Sequence, residues 1–91
     1  MEEINTIRKG KANSIIDEID LSFLDAIYQL TFTYTEIGLE NVRVILKISP
    51  RSFIFHKERL LKLGLIKETK NHRFKYLVLT EEGINLLKIL K

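Results

Sequence analysis

The chain has 91 residues, no cysteine, a hydrophobic share of 45%, a charged share of 30% and a formal net charge of +3. That length fits one domain; the apolar share excludes wholesale disorder, charges interrupting every apolar run exclude a membrane span, and the lack of cysteine excludes a disulfide framework or a thiolate metal site. The charge is segregated: residues 1–46 carry four basic and eight acidic side chains (net −4), residues 47–75 nine and two (net +7), and residues 76–91 two and two (net 0).

A block of that sign attracts phosphate backbones through counterion release. In chain order, residues 1–13 are polar and aperiodic, and read as a loose arm ahead of a domain spanning 14–91. From Ile15 the apolar residues recur at 15, 16, 19, 23, 24, 27 and 30, the spacing of a helix with one buried stripe, capped at its start by Asp17 or Asp20. Thr31 to Ile37 is β-branched and aromatic, which suits a short strand or a frayed helix end, and Gly38 breaks the chain. Leu39 to Lys47 returns to helical spacing until Ile48-Ser49-Pro50 ends it. Ser49 as N-cap and Pro50 at the first helical position open the next helix, which runs to about Leu63, with Gly64 as a left-handed cap. Two strands follow, about Leu65 to Thr69 and Phe74 to Leu79, joined by Lys70-Asn71-His72-Arg73, with Asn71 suited to the positive φ of the turn. Thr80 caps a last helix to about Leu90, in which Gly83 costs roughly 1 kcal/mol relative to alanine.

The order is helix, short strand, helix, helix, strand, strand, helix. With a helix-turn-helix at Leu39 to Leu63 and a hairpin at Leu65 to Leu79, it resembles the α+β winged helix-turn-helix: a three-helix core, a two-stranded wing and a C-terminal helix. RLLKLGLIKE (Arg59 to Glu68) and YLVLTEEG (Tyr76 to Gly83) are similar to the "LxxLGLI … LTxxG" signature of small MarR-like and PadR-like DNA-binding regulators and their archaeal relatives. The resemblance implies a recognition helix in the major groove, a wing over the adjacent backbone or minor groove, and a two-fold dimer.

On the recognition helix, stepping 100° per residue from Phe53 gathers Ile54, His56, Lys57, Leu60, Leu61 and Leu63 on an inward arc. Arg51, Ser52, Phe55, Glu58, Arg59 and Lys62 fall on the outer one. Arg51 and Arg59 are expected to contact guanine or phosphate, Ser52 and Phe55 to meet bases or thymine methyls, and Lys62 to join them. If the helix is rolled, Phe55 instead packs on the hairpin, and Lys57, on the inward arc, leaves the roll open by one position. His56 is either a core-edge residue or a DNA contact. On the wing, Lys70, Asn71, His72, Arg73 and Lys75, with Lys67 beside them, are expected at phosphates or the minor groove, Arg73 being best placed for insertion. Arg8, Lys9 and Lys11 offer a second basic arm, diluted by Glu2 and Glu3.

The last helix is apolar over too much of its circumference for one small core to cover, which predicts a homodimer through Ile15, Ile19, Ile84, Leu87 and Leu90. No sequence neighbour gives His56 or His72 metal-ligand spacing, and neither a phosphate-binding loop nor a catalytic motif appears. No cofactor, metal or enzymatic role is expected. The leading expectation is therefore a dimeric, sequence-preferring binder of double-stranded DNA acting as a transcriptional regulator. A DNA-organising or segregation adaptor that spreads on DNA and a winged-helix protein-interaction module are the alternatives, the latter having no need of the +7 block. Without a signal peptide, cytoplasmic, nucleoid-associated residence is expected.

Overall fold

The computed structural model describes residues 16–90. The expected arm, with Arg8, Lys9 and Lys11, and Ile15 of the expected dimer interface lie outside the described residues. The elements are α1 (Glu18–Thr31), β1 (Ile37–Gly38), α2 (Leu39–Leu46), α3 (Pro50–Lys62), β2 (Ile66–Asn71), β3 (Phe74–Leu79) and α4 (Glu81–Leu90). None of these helices is long and apolar enough to cross a membrane.

α1 starts with a reciprocal cap. Asp17 Oδ1 accepts the backbone N–H of Asp20 at 2.8 Å, and Asp20 Oδ2 accepts that of Asp17 at 3.2 Å, satisfying two otherwise orphaned donors. Phe23, Leu24, Ala26, Ile27 and Leu30 form its buried stripe. Phe23 stacks on Phe53 of α3, ring centroids 5.2 Å apart, so the first helix of the described chain seats the third.

The sheet has three strands in the order β1-β3-β2, all antiparallel. The expected wing is thus extended by a third strand. Of the stretch Thr31 to Ile37, the first residue closes α1 and only Ile37 reaches the sheet, where it pairs with Leu77. Gly38 pairs with Tyr76 and also N-caps α2. Rather than simply breaking the chain, it turns strand into helix.

α2 ends one residue earlier than its spacing predicts, because Lys47 adopts the left-handed conformation (φ 56°, ψ 42°). A non-glycine residue is strained there by about 1–2 kcal/mol. Lys47→Gly is therefore expected to stabilise the domain by about 0.5–1 kcal/mol after glycine's extra unfolded-state entropy is subtracted, visible as a higher Tm in thermal unfolding. An unchanged or lower Tm would show that the lysine side chain offsets the strain. Across the same turn Arg43 pairs with Glu40 and donates to the Ile48 carbonyl at 3.4 Å. The guanidinium holds the Glu40 carboxyl below the ordinary carboxylate range.

α3 follows the sequence closely: Ser49 Oγ accepts the N–H of Ser52 at 3.1 Å, Pro50 is the first helical residue, and Gly64 has φ 75° just beyond Leu63. The hairpin departs: β2, expected to end at Thr69, runs two residues further and leaves only His72 and Arg73 as the turn. Asn71 is the last residue of β2, and the positive φ of the turn falls on His72 (φ 60°).

The two phrases that carry the sequence signature meet in space. Thr80 Oγ1 donates to the Gly64 carbonyl at 2.7 Å, Thr80 N–H donates to the Leu65 carbonyl at 3.1 Å, and Thr80 Oγ1 accepts the N–H of Gly83 at 3.0 Å as the cap of α4. A Cβ at Gly83 would stand 2.1 Å from the Leu65 carbonyl oxygen. The glycine charged with a helix penalty in the sequence is thus required by packing. α4 lies on α1 and closes a core centred on Phe23, Leu24, Ile27, Val42, Phe53, Leu60, Ile66, Leu77 and Leu87.

Candidate nucleic-acid interface

α3 presents Phe53, His56 and Leu60 inward. Its outer face carries Arg51, Ile54, Phe55, Glu58 and Lys62, all exposed, with Ser52 and Arg59 half-buried at its margin. Phe55 is 57% exposed, so it does not pack on the hairpin. Ile54, expected on the inward arc, is 55% exposed beside it, because the buried arc is centred on the His56 side of Phe53. The helix thus carries two apolar side chains outward in its first two turns. Leu63, also expected inward, is 41% exposed where the helix ends.

His56 is a correction. It is buried, and its Nδ1 donates to Asp20 Oδ1 at 2.6 Å, so it cannot reach a ligand on the outer face. Asp20 itself is wholly buried, and its other oxygen accepts Arg59 Nε at 3.1 Å. Sequence reading missed this pairing across 36 residues. The available signal was an acid standing within an apolar stripe, since a buried charge needs partners.

Lys57, the residue that left the roll open, is accounted for by the sheet. Its side chain, 12% exposed, runs between α3 and β2 to Glu68 at 3.3 Å and also meets Glu58 at 3.5 Å. No rotation of the helix is needed to explain it.

On the hairpin Lys67, Lys70, Asn71, His72, Arg73 and Lys75 are all exposed. Lys70 and Lys75 stand directly opposite each other across β2 and β3. Like charges at that position repel, an arrangement that favours an anion nearby. Alternation along β2 puts Lys70 on the same face as Glu68, the residue that touches α3. The two lysines therefore share the hairpin face on which Glu68 meets α3. Asn71 Nδ2 donates to Glu36 Oε2 at 3.4 Å, and the same carboxylate, after burial, contributes to holding the Tyr76 hydroxyl above its usual range. Glu36 in this way fastens the hairpin to the loop before β1.

Asp17, Asp20 and His56 bring possible ligand atoms within 4.8 Å of one another, a grouping the sequence did not reveal. Both Asp20 oxygens and Asp17 Oδ1 already accept protein hydrogen bonds, and Arg59 sets a positive charge against Asp20. The cluster is held together by its own groups, and its chemistry is that of a structural ion pair rather than a cation cage.

Along the other side of the molecule Ile19 is 38% and Ile89 76% exposed, with Ile84, Leu86 and Leu90 half-buried. Leu87 differs from expectation: it is 4% exposed and belongs to the core of the chain itself. It has almost no surface left to offer a partner.

No protein-family model and no curated protein matches the sequence. Among solved structures, a variant of MepR from a multidrug-resistant S. aureus clinical isolate superposes with a TM-score of 0.76 at 19% identity, covering 97% of this chain and 67% of that one. S. aureus MepR in complex with DNA gives 0.74 at 18% identity, covering 98% and 70%. Sco5413, a MarR family transcriptional regulator from Streptomyces coelicolor, gives 0.58 at 20% identity, covering 98% and 69%. The fold is a MarR-like winged helix. Within it α2 and α3 are the helix-turn-helix, and β2 and β3 form the wing, with β1 as the third strand at its base. The chain spans about two thirds of the length of the MepR chains it matches.

Proposed function

We propose that this winged helix is a sequence-preferring binder of double-stranded DNA that works as a homodimer in transcriptional regulation, by occupying a site rather than by catalysing a reaction. Its place would be the cytoplasm, on the nucleoid. The observation that carries the reading is the set of basic side chains that α3 and the wing leave in solvent, Arg51 and Lys62 with the half-buried Arg59 on the helix and Lys67, Lys70, Arg73 and Lys75 on the hairpin, with Lys70 facing Lys75. The two apolar residues within this field, Ile54 and Phe55, suit the floor of a major groove, where thymine methyls are the apolar groups available. The solved complex of MepR with DNA supports the same use of the fold.

Binding of duplex DNA measured across a salt series tests this directly. About eight phosphate contacts per dimer give a log–log slope near −7. A protein that ignores duplexes in dilute salt would overturn the reading and leave a protein-interaction module in its place. The dimer is supported by Ile89 and Ile19, large apolar side chains exposed on α4 and α1, with Ile84 and Leu90 beside them. Light scattering at micromolar concentration should return twice the chain mass, and a single-chain mass would remove the dimer.

A further inference from the structure

The buried polar cluster between α1 and α3 lies behind the proposed DNA face, but one of its members ends at that face. We infer that Asp20 is a positioning residue, which fixes the guanidinium of Arg59 for bidentate recognition of a guanine; this rests on the DNA-binding reading above.

Asp20 sits in the first turn of α1 and is 0% exposed. Stability alone is a poor reason for an acid there, since a well-packed apolar residue commonly replaces a buried ion pair without loss. What the carboxylate provides is geometry. Oδ1 is anchored by His56 Nδ1 at 2.6 Å and Oδ2 by the Asp17 N–H at 3.2 Å, so the group is held from two elements before it meets Arg59. Oδ2 then takes Arg59 Nε at 3.1 Å, while the guanidinium carbon stands 5.9 Å from the centre of the Phe55 ring.

An unrestrained arginine loses rotamer freedom when it is ordered. Here the Asp20 bond and the Phe55 ring remove much of that freedom in advance, leaving 27% of the side chain in solvent at the edge of the outer face. A phosphate contact needs only a positive charge. Reading O6 and N7 of guanine needs a planar fork at a set angle, which is what an Nε bond to a fixed carboxylate defines.

Sites would first be selected from a random duplex pool with the unaltered protein. The ratio of Kd on scrambled duplex to Kd on the selected site is then measured for Asp20→Asn, Asp20→Glu, Arg59→Ala and the double variant Asp20→Asn/Arg59→Ala, with folding checked by circular dichroism. Arg59→Ala should reduce the ratio roughly 5- to 150-fold. Asp20→Asn should reproduce most of that loss while affinity for scrambled duplex stays the same or rises, and the double variant should be no worse than Arg59→Ala. A purely structural Asp20 would instead weaken both duplexes together.

If Asp20→Asn fails to fold, Asp20→Glu carries the test, because it keeps the charge and moves the carboxylate outward by one methylene; discrimination should fall in a folded protein. Retention of the wild-type ratio by the folded Asp20 variant, independent multiplication of the two effects in the double variant, or an unchanged ratio in Arg59→Ala would each overturn the assignment. Failure of the unaltered protein to bind any duplex is a separate result, which removes the DNA-binding reading and this assignment with it.

Discussion

Gly83→Ala is expected to destabilise the domain by about 2–3 kcal/mol, lowering Tm by roughly 10–20 °C for a domain of this size. Helix propensity alone predicts the opposite sign, a gain of about 1 kcal/mol, because glycine is a poor residue in a helix. The packing decides. The new Cβ would lie 2.1 Å from the Leu65 carbonyl oxygen and 3.3 Å from Leu79 Cδ2. Backbone cannot swing aside as a flexible side chain can, and that same carbonyl already accepts the Thr80 N–H. Relief requires α4 to move off the start of the wing, with loss of the Thr80 bonds to Gly64 and Leu65. Thermal unfolding of the two proteins in one buffer checks this; an unchanged or higher Tm would show that the helix relaxes freely.

Phe23→Ala should cost more, about 3–5 kcal/mol, a large share of the 5–15 kcal/mol typical of a domain. Phe23 is 0% exposed and stacks on Phe53, so its loss opens a cavity between α1 and the helix that carries the proposed DNA contacts. Phe55→Ala is the informative partner. That ring is 57% exposed, and its removal should shift stability by no more than about 0.5 kcal/mol while lowering affinity for duplex. Urea midpoints for both variants, read beside binding curves, separate the roles. Similar stability losses at the two positions would contradict the burial of Phe23 and the exposure of Phe55.

Much of α3 could be read from the sequence because its ends are marked by residues with local physical meaning: Ser49 as cap, Pro50 at the first position, Gly64 beyond the last. The features that escaped depend on distant partners. β1 is two residues long and exists because Leu77 and Tyr76 lie alongside, about forty residues later. Lys47 carries no chemical sign of a left-handed backbone. His56 was open to reading as a contact because a basic residue on a recognition helix invites it, whereas its burial follows from Asp20. Asn71 is the better intrinsic turn former, yet the register that pairs it with Phe74 passes the positive φ to His72. Leu87 could be assigned to a partner only while the contact of α4 with α1 was unknown. Lys70 and Asn71, expected in the turn, extend β2 instead, because pairing with Lys75 and Phe74 carries the ladder two residues further than local turn propensity suggests.

The sheet order has a consequence for solution behaviour. Among the described residues β2 is an outer strand, and its side away from β3 offers unpaired backbone groups to any extended chain that comes by. Lys67 and Lys70 stand along that border, and lysines there repel a second molecule seeking the same edge. Neutralising them to weaken nucleic-acid affinity would also remove these gatekeepers. Such variants should be screened for edge-to-edge aggregation before any lost affinity is ascribed to missing phosphate contacts.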